Sequence, residues 1–339
     1  MNKRVILYHD SCADGVGGVY ALLKGLKHIG LKVSYPDEMI KPIQTLSEDI
    51  DIIPCWYGMD TRVIEEYLTK DMILIIVDFS FSREVTTLLA SKVSELILLD
   101  HHKTALDTLD GLDLEVPNMV MILDMYKSGT GIAMQYVENT YNYTYDHSDS
   151  FILSRIEDRD LYNFKYKETR DVGMYFEYKG RTLATLLSMV LNHKLSPYES
   201  TVINTEGKLL RDYKDRMNSE ILEHYKSKFT IVVSKDGVDY NVPFINAPAS
   251  FFGSEIGALM YEDKSNLSKV AICFNIGKDF NYVTLSIRSL KGETLTAIDV
   301  LEYIGAEGGG HKEACGGRMT TDEFFKMLKE NTIKTEGDK

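Results

Sequence analysis

Four runs in the first half of the chain, residues 5–8, 72–77, 95–99 and 119–123, are apolar without a break or nearly so. Strands buried on both faces of a parallel sheet read this way, because neither face can carry a polar position. Segments of helical spacing lie between them at 17–29, 61–69 and 82–92. Strand, helix, strand in repetition predicts a doubly wound α/β domain, and such sheets bind ligands outside the carboxyl ends of their strands.

Further on, Ser128-Gly129-Thr130-Gly131 precedes a helix reaching residue 138, and 150–156 reads as a helix that ends at the acidic patch Glu157-Asp158-Arg159-Asp160. A long polar helical stretch over 199–228 looks like a connector. Beyond it, 229–233, 242–245, 270–275 and 282–289 cluster or alternate like strands of a mixed sheet, with helices at 254–262, 296–303 and 321–331. The expected division is a first domain over 1–196, a connecting helix over 197–228, a smaller mixed-sheet α/β domain over 229–333 and a disordered tail over 334–339. The active site is expected in the cleft between the two domains. There is no internal repeat and no low-complexity linker.

Composition narrows the function. A chain of 339 residues exceeds what one hydrophobic core usually supports, and 44% hydrophobic with 26% charged residues is ordinary for a globular protein. No stretch approaches the roughly 20 apolar residues of a membrane span, and Asn2-Lys3-Arg4 leads directly into a short apolar run. The expectation is an unprocessed cytoplasmic protein with no membrane partner. Four scattered cysteines, Cys12, Cys55, Cys273 and Cys315, form no Cys-x-x-Cys pair, which argues against a zinc knuckle, a redox motif or a disulfide framework. A net charge of −13 argues against coating long nucleic acid, which needs a basic track. Short phosphate ligands remain open, since a local basic pocket beside divalent metals can bind them.

The chemistry sits where strands end. Leu98-Leu99 empties into Asp100-His101-His102, where one imidazole can ligate a metal, the other can face a phosphate, and Asp100 can orient them. Tyr8-His9-Asp10-Ser11-Cys12-Ala13-Asp14-Gly15 joins a strand to a helix N-terminus, with His9 and Asp14 as ligands or Asp14 as a plain helix cap. Asp78 ends a run so apolar that its charge needs a partner; a bridging position between two cations would supply one, and capping the helix start at Ser80 to Arg83 is the alternative. Asp158 and Asp160 lie at a helix end, where the dipole disfavours negative charge. In the second domain, Gly308-Gly309-Gly310-His311 and Ala314-Cys315-Gly316-Gly317-Arg318 read as a glycine loop whose amides can form an anion nest, with Arg288 facing the same region.

Together these residues resemble the DHH phosphoesterase superfamily. His9 and Asp14 match its first motif, Asp78 its second, Asp100-His101-His102 the third and Asp158 the fourth; Gly308-Gly309-Gly310-His311, with Ser286-Ile287-Arg288-Ser289 upstream, looks like the DHH-associated substrate domain. The first motif departs from the common His-x-x-x-Asp-x-Asp: counting from His9 puts Ala13 at the first Asp, and counting back from Asp14 puts Cys12 there. The pattern His-x-x-Cys-x-Asp-Gly is similar to the branch of oligoribonucleases and cyclic-nucleotide phosphodiesterases. Cys12 as a soft ligand, Asp10 in its place, or a weaker, water-rich first cation are the alternatives.

The resemblance implies a metal-dependent phosphodiesterase that cuts short oligoribonucleotides or linear dinucleotides to mononucleotides. Two divalent cations, Mn2+ ahead of Mg2+, would be held by His9, Asp14, Asp78, His101 and Asp158, with Asp10, Cys12 and Asp160 as further candidates. It casts Asp78, Asp100 and His102 as catalytic, and His102, Arg288, Gly309, Gly310, His311 and Arg318 as substrate-binding. Alternatives are a RecJ-like single-strand exonuclease, a cyclic-dinucleotide phosphodiesterase, a polyphosphatase or pyrophosphatase, and an inactive nucleotide-binding protein. The Tyr-rich stretches 136–145 and 162–178 offer stacking faces, though half-buried packing explains them more simply. No protein partner is implied, and a homodimer is left open.

Overall fold

The computed structural model describes residues 2–34, 43–195, 199–247 and 249–334. The chain forms two compact units, Met1–Asp212 and Tyr213–Lys339. Unit 1 runs β1 (Lys3–His9), α1 (Ala13–His28), β2 (Gln44–Ser47), β3 (Ile50–Cys55), α2 (Arg62–Tyr67), β4 (Met72–Val77), α3 (Arg83–Lys92), β5 (Glu95–Asp100), α4 (Lys103–Leu109), α5 (Leu112–Glu115), β6 (Met119–Leu123), α6 (Gly129–Tyr141), α7 (His147–Asp160), α8 (Thr169–Lys179) and α9 (Leu183–Leu195). Its sheet has the order β2-β3-β1-β4-β5-β6. All neighbours pair in parallel except β2, which is antiparallel to β3 at the edge.

The unbroken apolar runs follow from this arrangement. Ile6, Tyr8, Ile75, Val77, Ile97 and Leu99 face one core with α1, α6 and α7, while Val5, Leu7, Leu74, Ile76, Leu96 and Leu98 face another with α2, α3 and α4. Each strand is covered on both sides. The β2–β3 pair escapes the sequence pattern because Asp51 and Pro54 interrupt it. Asp51 is fully buried against Lys3 (2.6 Å) and the Tyr67 hydroxyl, and Pro54 lies beyond the stretch that β2 pairs.

The long α10 (Glu199–Tyr225) contains the division between the units, so the boundary falls inside the expected connector rather than at its ends. Unit 2 continues with β7 (Lys226–Lys235), β8 (Val238–Asn246), α11 (Ala249–Glu262), β9 (Val270–Ile276), β10 (Tyr282–Ser289), α12 (Ala297–Tyr303), β11 (Glu307–Gly310), β12 (Ala314–Thr320), α13 (Thr321–Asn331) and β13 (Thr332–Lys334). Its sheet, β11-β12-β10-β9-β8-β7-β13, is mixed, with β8 and β9 parallel. The tail expected to be disordered from 334 begins inside β13, which pairs with β7; residues 335–339 lie outside the described residues, as do 196–198.

The glycine run is corrected too. It is a strand, β11, laddered onto β12, not a loop of successive amides facing one anion. A side chain at Gly308 would run into the Gly316 carbonyl and the Gly317 Cα. Close strand packing, and not a nest, fixes glycine there.

Candidate metal centre

Strands β1, β4 and β5 lie side by side, and their carboxyl ends deliver His9, Asp78 and Asp100-His101-His102 to one place. Asp78 has a left-handed backbone, φ 54°, which L-residues adopt at a cost and Asp tolerates better than most. Its N–H donates to the Leu99 carbonyl (3.0 Å), tying the bend to β5.

The two oxygens of the buried Asp78 face different imidazoles. Oδ1 is 3.2 Å from His101 Nε2, and Oδ2 is 3.7 Å from His9 Nδ1. His9 Nδ1 and Asp78 Oδ2 are buried without a hydrogen-bond partner. His101 Nε2 also lies 3.6 Å from Asp14 Oδ2 and 3.5 Å from Asp160 Oδ2. Among the described residues, donor atoms of His9, Cys12 and Asp78 fall within 4.8 Å of one another, as do those of Asp14, His101 and Asp160, and of Asp78, Asp100, His101 and His102.

The histidine pair divides its work. His101 is 5% exposed and points into the carboxylates, whereas the His102 side chain is 18% exposed, with Nδ1 2.7 Å from Asp100 Oδ1. Asp100 Oδ1 also accepts the His101 N–H (2.7 Å). Fully buried, Asp100 is a positioning residue that holds the ring and favours the tautomer with hydrogen on Nδ1.

The electrostatics describe a site short of positive charge. Burial and the charges of Asp160 and Asp78 push Asp14 well above the ordinary carboxylate range, against the pull of His101. Asp160 is pushed up to about 6 by desolvation and Asp78, again against His101. Burial and these three carboxylates raise the Cys12 thiol. For Asp78, burial is outweighed by His101 and His9, which hold its carboxyl low. Burial would lower His101, but Asp78, Asp14 and Asp160 carry it up to about 10. Orphaned buried atoms, crowded carboxylates and a mixed oxygen, nitrogen and sulfur donor set fit divalent cations.

Two expected ligands change places. Asp158 does not join the cluster: its oxygens accept from the N–H groups of Lys165 (2.9 Å) and Tyr166 (3.2 Å) and from the Thr169 hydroxyl, pinning the chain after α7. Asp160, two residues on, faces His101 instead, because positions two apart on a helix point to nearly opposite sides. In the first motif Cys12 enters the cluster, while Asp10 is exposed and outside it.

The sequence reading also missed what seats Asp14. Its carboxylate accepts from the backbone N–H of Gly129 (2.5 Å) and Thr130 (3.0 Å), at the start of α6. A Cβ at Gly129 would lie 2.5 Å from the Asp78 Cβ and 3.0 Å from Asp14 Oδ2. The signal was Ser128, a helix cap that accepts from Gly131 N–H, followed by residues small enough to approach a strand end.

In unit 2, an open hollow of about 560 Å3 is lined by residues including Asn275, Thr284, Ser286, Arg288, Gly309 and Gly316. Arg288 Nη1 donates to the carbonyls of Ile287 (2.9 Å) and Cys315 (3.2 Å). Gly310 ends β11, paired with Cys315, and His311 opens the β11–β12 turn, closed by His311 N–H on the Ala314 carbonyl (2.8 Å). Arg318 stacks over the Tyr282 ring at 4.9 Å; it is the cross-strand partner of Thr284 but is not itself among the residues lining the hollow.

No family model matches the chain. An uncharacterized protein of Acanthamoeba polyphaga mimivirus is 25% identical over 320 residues, covering 92% of this chain and 66% of that protein. The chain thus spans just under two thirds of its relative. Among solved structures, an exopolyphosphatase-related protein from Bacteroides fragilis matches with TM-score 0.57 and 16% identity over 97% of this chain and 91% of that one. RecJ from Thermus thermophilus, in complex with Mn2+, also gives 0.57 and 16%, over 97% of this chain but 51% of RecJ. A pGpG-specific phosphodiesterase from Vibrio cholerae gives 0.50 and 12%, over 97% of both. At these identities the likeness is one of fold.

Proposed function

The chain has the fold of the DHH phosphoesterase superfamily, and from that premise we propose that it is a metal-dependent phosphodiesterase acting on short oligoribonucleotides or linear dinucleotides. The observation that carries the reading is Asp78, whose oxygens face His101 on one side and His9 on the other. A carboxylate so placed could serve a cation on either side. His9, Cys12 and Asp78 would hold one, and Asp14, Asp78, His101 and Asp160 the other. Bound there, divalent cations supply positive charge to the phosphoryl oxygens and acidify water. Mn2+ suits this donor set better than Ca2+.

The chain's own groups do the rest. With its ring positioned through Nδ1 by Asp100, His102 would donate to a phosphate oxygen or protonate the departing one. Burial lowers the His102 pKa, but Asp100, with Asp78, more than reverses it. Helix α6, through Gly129 and Thr130, fixes Asp14 before any ligand arrives. In unit 2, Arg288 and Gly309 line a hollow of nucleotide size and would bind an anionic part of the substrate. The chain's net charge of −13 favours short over long nucleic acid, and the fold shared with a pGpG-specific phosphodiesterase agrees with a dinucleotide.

The test incubates the chain and Mn2+ with an RNA dinucleotide, a pentanucleotide RNA, long single-stranded DNA and polyphosphate, resolving products by length. Mononucleotides from the short RNAs alone are expected. Digestion of long DNA would instead favour exonuclease action, and cleavage of polyphosphate alone a polyphosphatase. Ions bound with no cleavage of any substrate would overturn the hydrolytic reading.

A further inference from the structure

Beyond β3 the chain reads Cys55-Trp56-Tyr57-Gly58-Met59, and these residues make a tight turn at the same sheet edge as the metal cluster. Met59 N–H donates to the Trp56 carbonyl (3.1 Å), and Gly58 takes φ 85°. A turn closed this way with positive φ at its third residue is type II, which glycine enters without strain. The end of β3 is tied to the motif beside it, since Asp10 N–H donates to the Cys55 carbonyl (2.8 Å).

This turn carries two large aromatics, of which Tyr57 stands at the cluster. The Tyr57 ring stands edge-on to His9 at 5.7 Å and rests against Phe79 at 4.8 Å. Phe79 is itself buried and backed by Phe81 at 4.9 Å. Tyr57 therefore has a fixed underside, yet the residue is 57% exposed, and Trp56 beside it is 53% exposed. Core packing accounts for Phe79. It does not account for Tyr57, an open ring next to a candidate ligand of a cation site where phosphate oxygens would approach, nor for the equally open Trp56 one residue before it. A flat apolar partner attached to a phosphate, a nucleobase, fits both features: its ring stacks on an aromatic face while its phosphate reaches the cluster.

We propose that Trp56 and Tyr57 are the base-stacking residues of this site, so that it selects phosphodiesters carrying a nucleobase over base-free phosphates. The proposal rests on the phosphodiesterase reading for the location of the phosphate. A polyphosphate chain would gain nothing from these rings, whereas each stacked base strengthens binding.

Trp56 is the chain's one tryptophan, so its fluorescence reports the contact without any turnover. GMP is expected to quench it, while ribose 5-phosphate and tripolyphosphate leave it unchanged. A second measurement compares hydrolysis of an RNA dinucleotide with that of its abasic analogue. The wild-type preference, about tenfold or more in kcat/KM, is expected to collapse toward unity in Tyr57→Ala and to persist in Tyr57→Phe. No quenching by GMP, or a preference that survives in the Trp56→Ala/Tyr57→Ala double variant, overturns the proposal. Equal cleavage of both substrates by the wild type removes stacking and leaves the hydrolytic reading standing. Cleavage of neither, with quenching by GMP, removes hydrolysis and keeps the stacking face.

Discussion

Unit 1 and unit 2 both build polar clusters against a sheet, but only unit 2 satisfies its cluster from within. There, Asp299 accepts from Lys235 Nζ (2.6 Å) and from the N–H (2.7 Å) and hydroxyl (2.6 Å) of Thr296, closing a capping box at α12. Despite burial, those donors hold its carboxyl below the usual range, so its charge stabilises the fold. In unit 1, His9 Nδ1, Asp78 Oδ2 and Asp100 Oδ2 are buried without hydrogen-bond partners, and Asp14 and Asp160 ionise reluctantly. Charge that is self-sufficient marks structure; charge that waits for a counter-ion marks a site.

The widest break in that contrast is Asp78→Ala, which removes the carboxylate facing both imidazoles. Hydrolysis of an RNA dinucleotide should fall by about 10³-fold or more, with metal binding weakened in calorimetry and circular dichroism unchanged. Full turnover in this variant would end the shared-carboxylate mechanism. A matched glycine pair tests the contrast more finely. Gly129→Ala, whose Cβ meets Asp78 and Asp14, should cost at least tenfold in metal affinity and about 1–3 kcal/mol of stability. Gly309→Ala in unit 2 meets nothing within 4 Å, so its thermal midpoint should match wild type.

Added cation should act on one unit only. At a hundred times its dissociation constant, Mn2+ should stabilise unit 1 by about 2.7 kcal/mol, read as protection of β1, β4 and β5 amides from hydrogen exchange, with no gain in β7–β10. Equal protection in both units would dissolve the comparison. The smallest effect belongs to Asp299. Its folded pKa is depressed, so its contribution is complete above the unfolded value near 4 and is lost as pH falls through the folded one. Asp299→Asn should cost about 0.5–1 kcal/mol near neutral pH, and the difference from wild type should vanish in acid, as denaturant titrations at several pH values would show.

Much of the site was written along the strands. Residues 5–8, 72–77 and 96–99 announced their burial by carrying no charged position, and the side chains that follow them had to emerge at one edge. Helix phase was harder. The helix expected at 150–156 runs from His147 to Asp160, so the acidic patch is its last turn rather than a following loop. Spacing by four from Ile152 and Ile156 puts Asp160 on their face of the helix, whereas Asp158, the more buried of the two, lies on another face and is used up by Lys165, Tyr166 and Thr169. Gly129 and Thr130 were invisible for another reason: they act through backbone amides, and their sequence signal was no stronger than that of any capped helix. The glycine run misled because a strand of glycines has no side-chain alternation to display; contact with Gly316 and Gly317 explains Gly308, and a positive φ beside Ala314 and Cys315 explains Gly310.

The left-handed backbone at Asp78 gives selection a choice. Glycine or asparagine suits φ 54° at least as well as aspartate, and relief of the strain is worth about 1 kcal/mol. A library of this protein sorted for heat resistance alone should therefore drift at position 78 toward residues that cannot serve the site. Durability and catalysis compete there for a single codon, and a population kept without substrate would shed the function while its proteins grew sturdier.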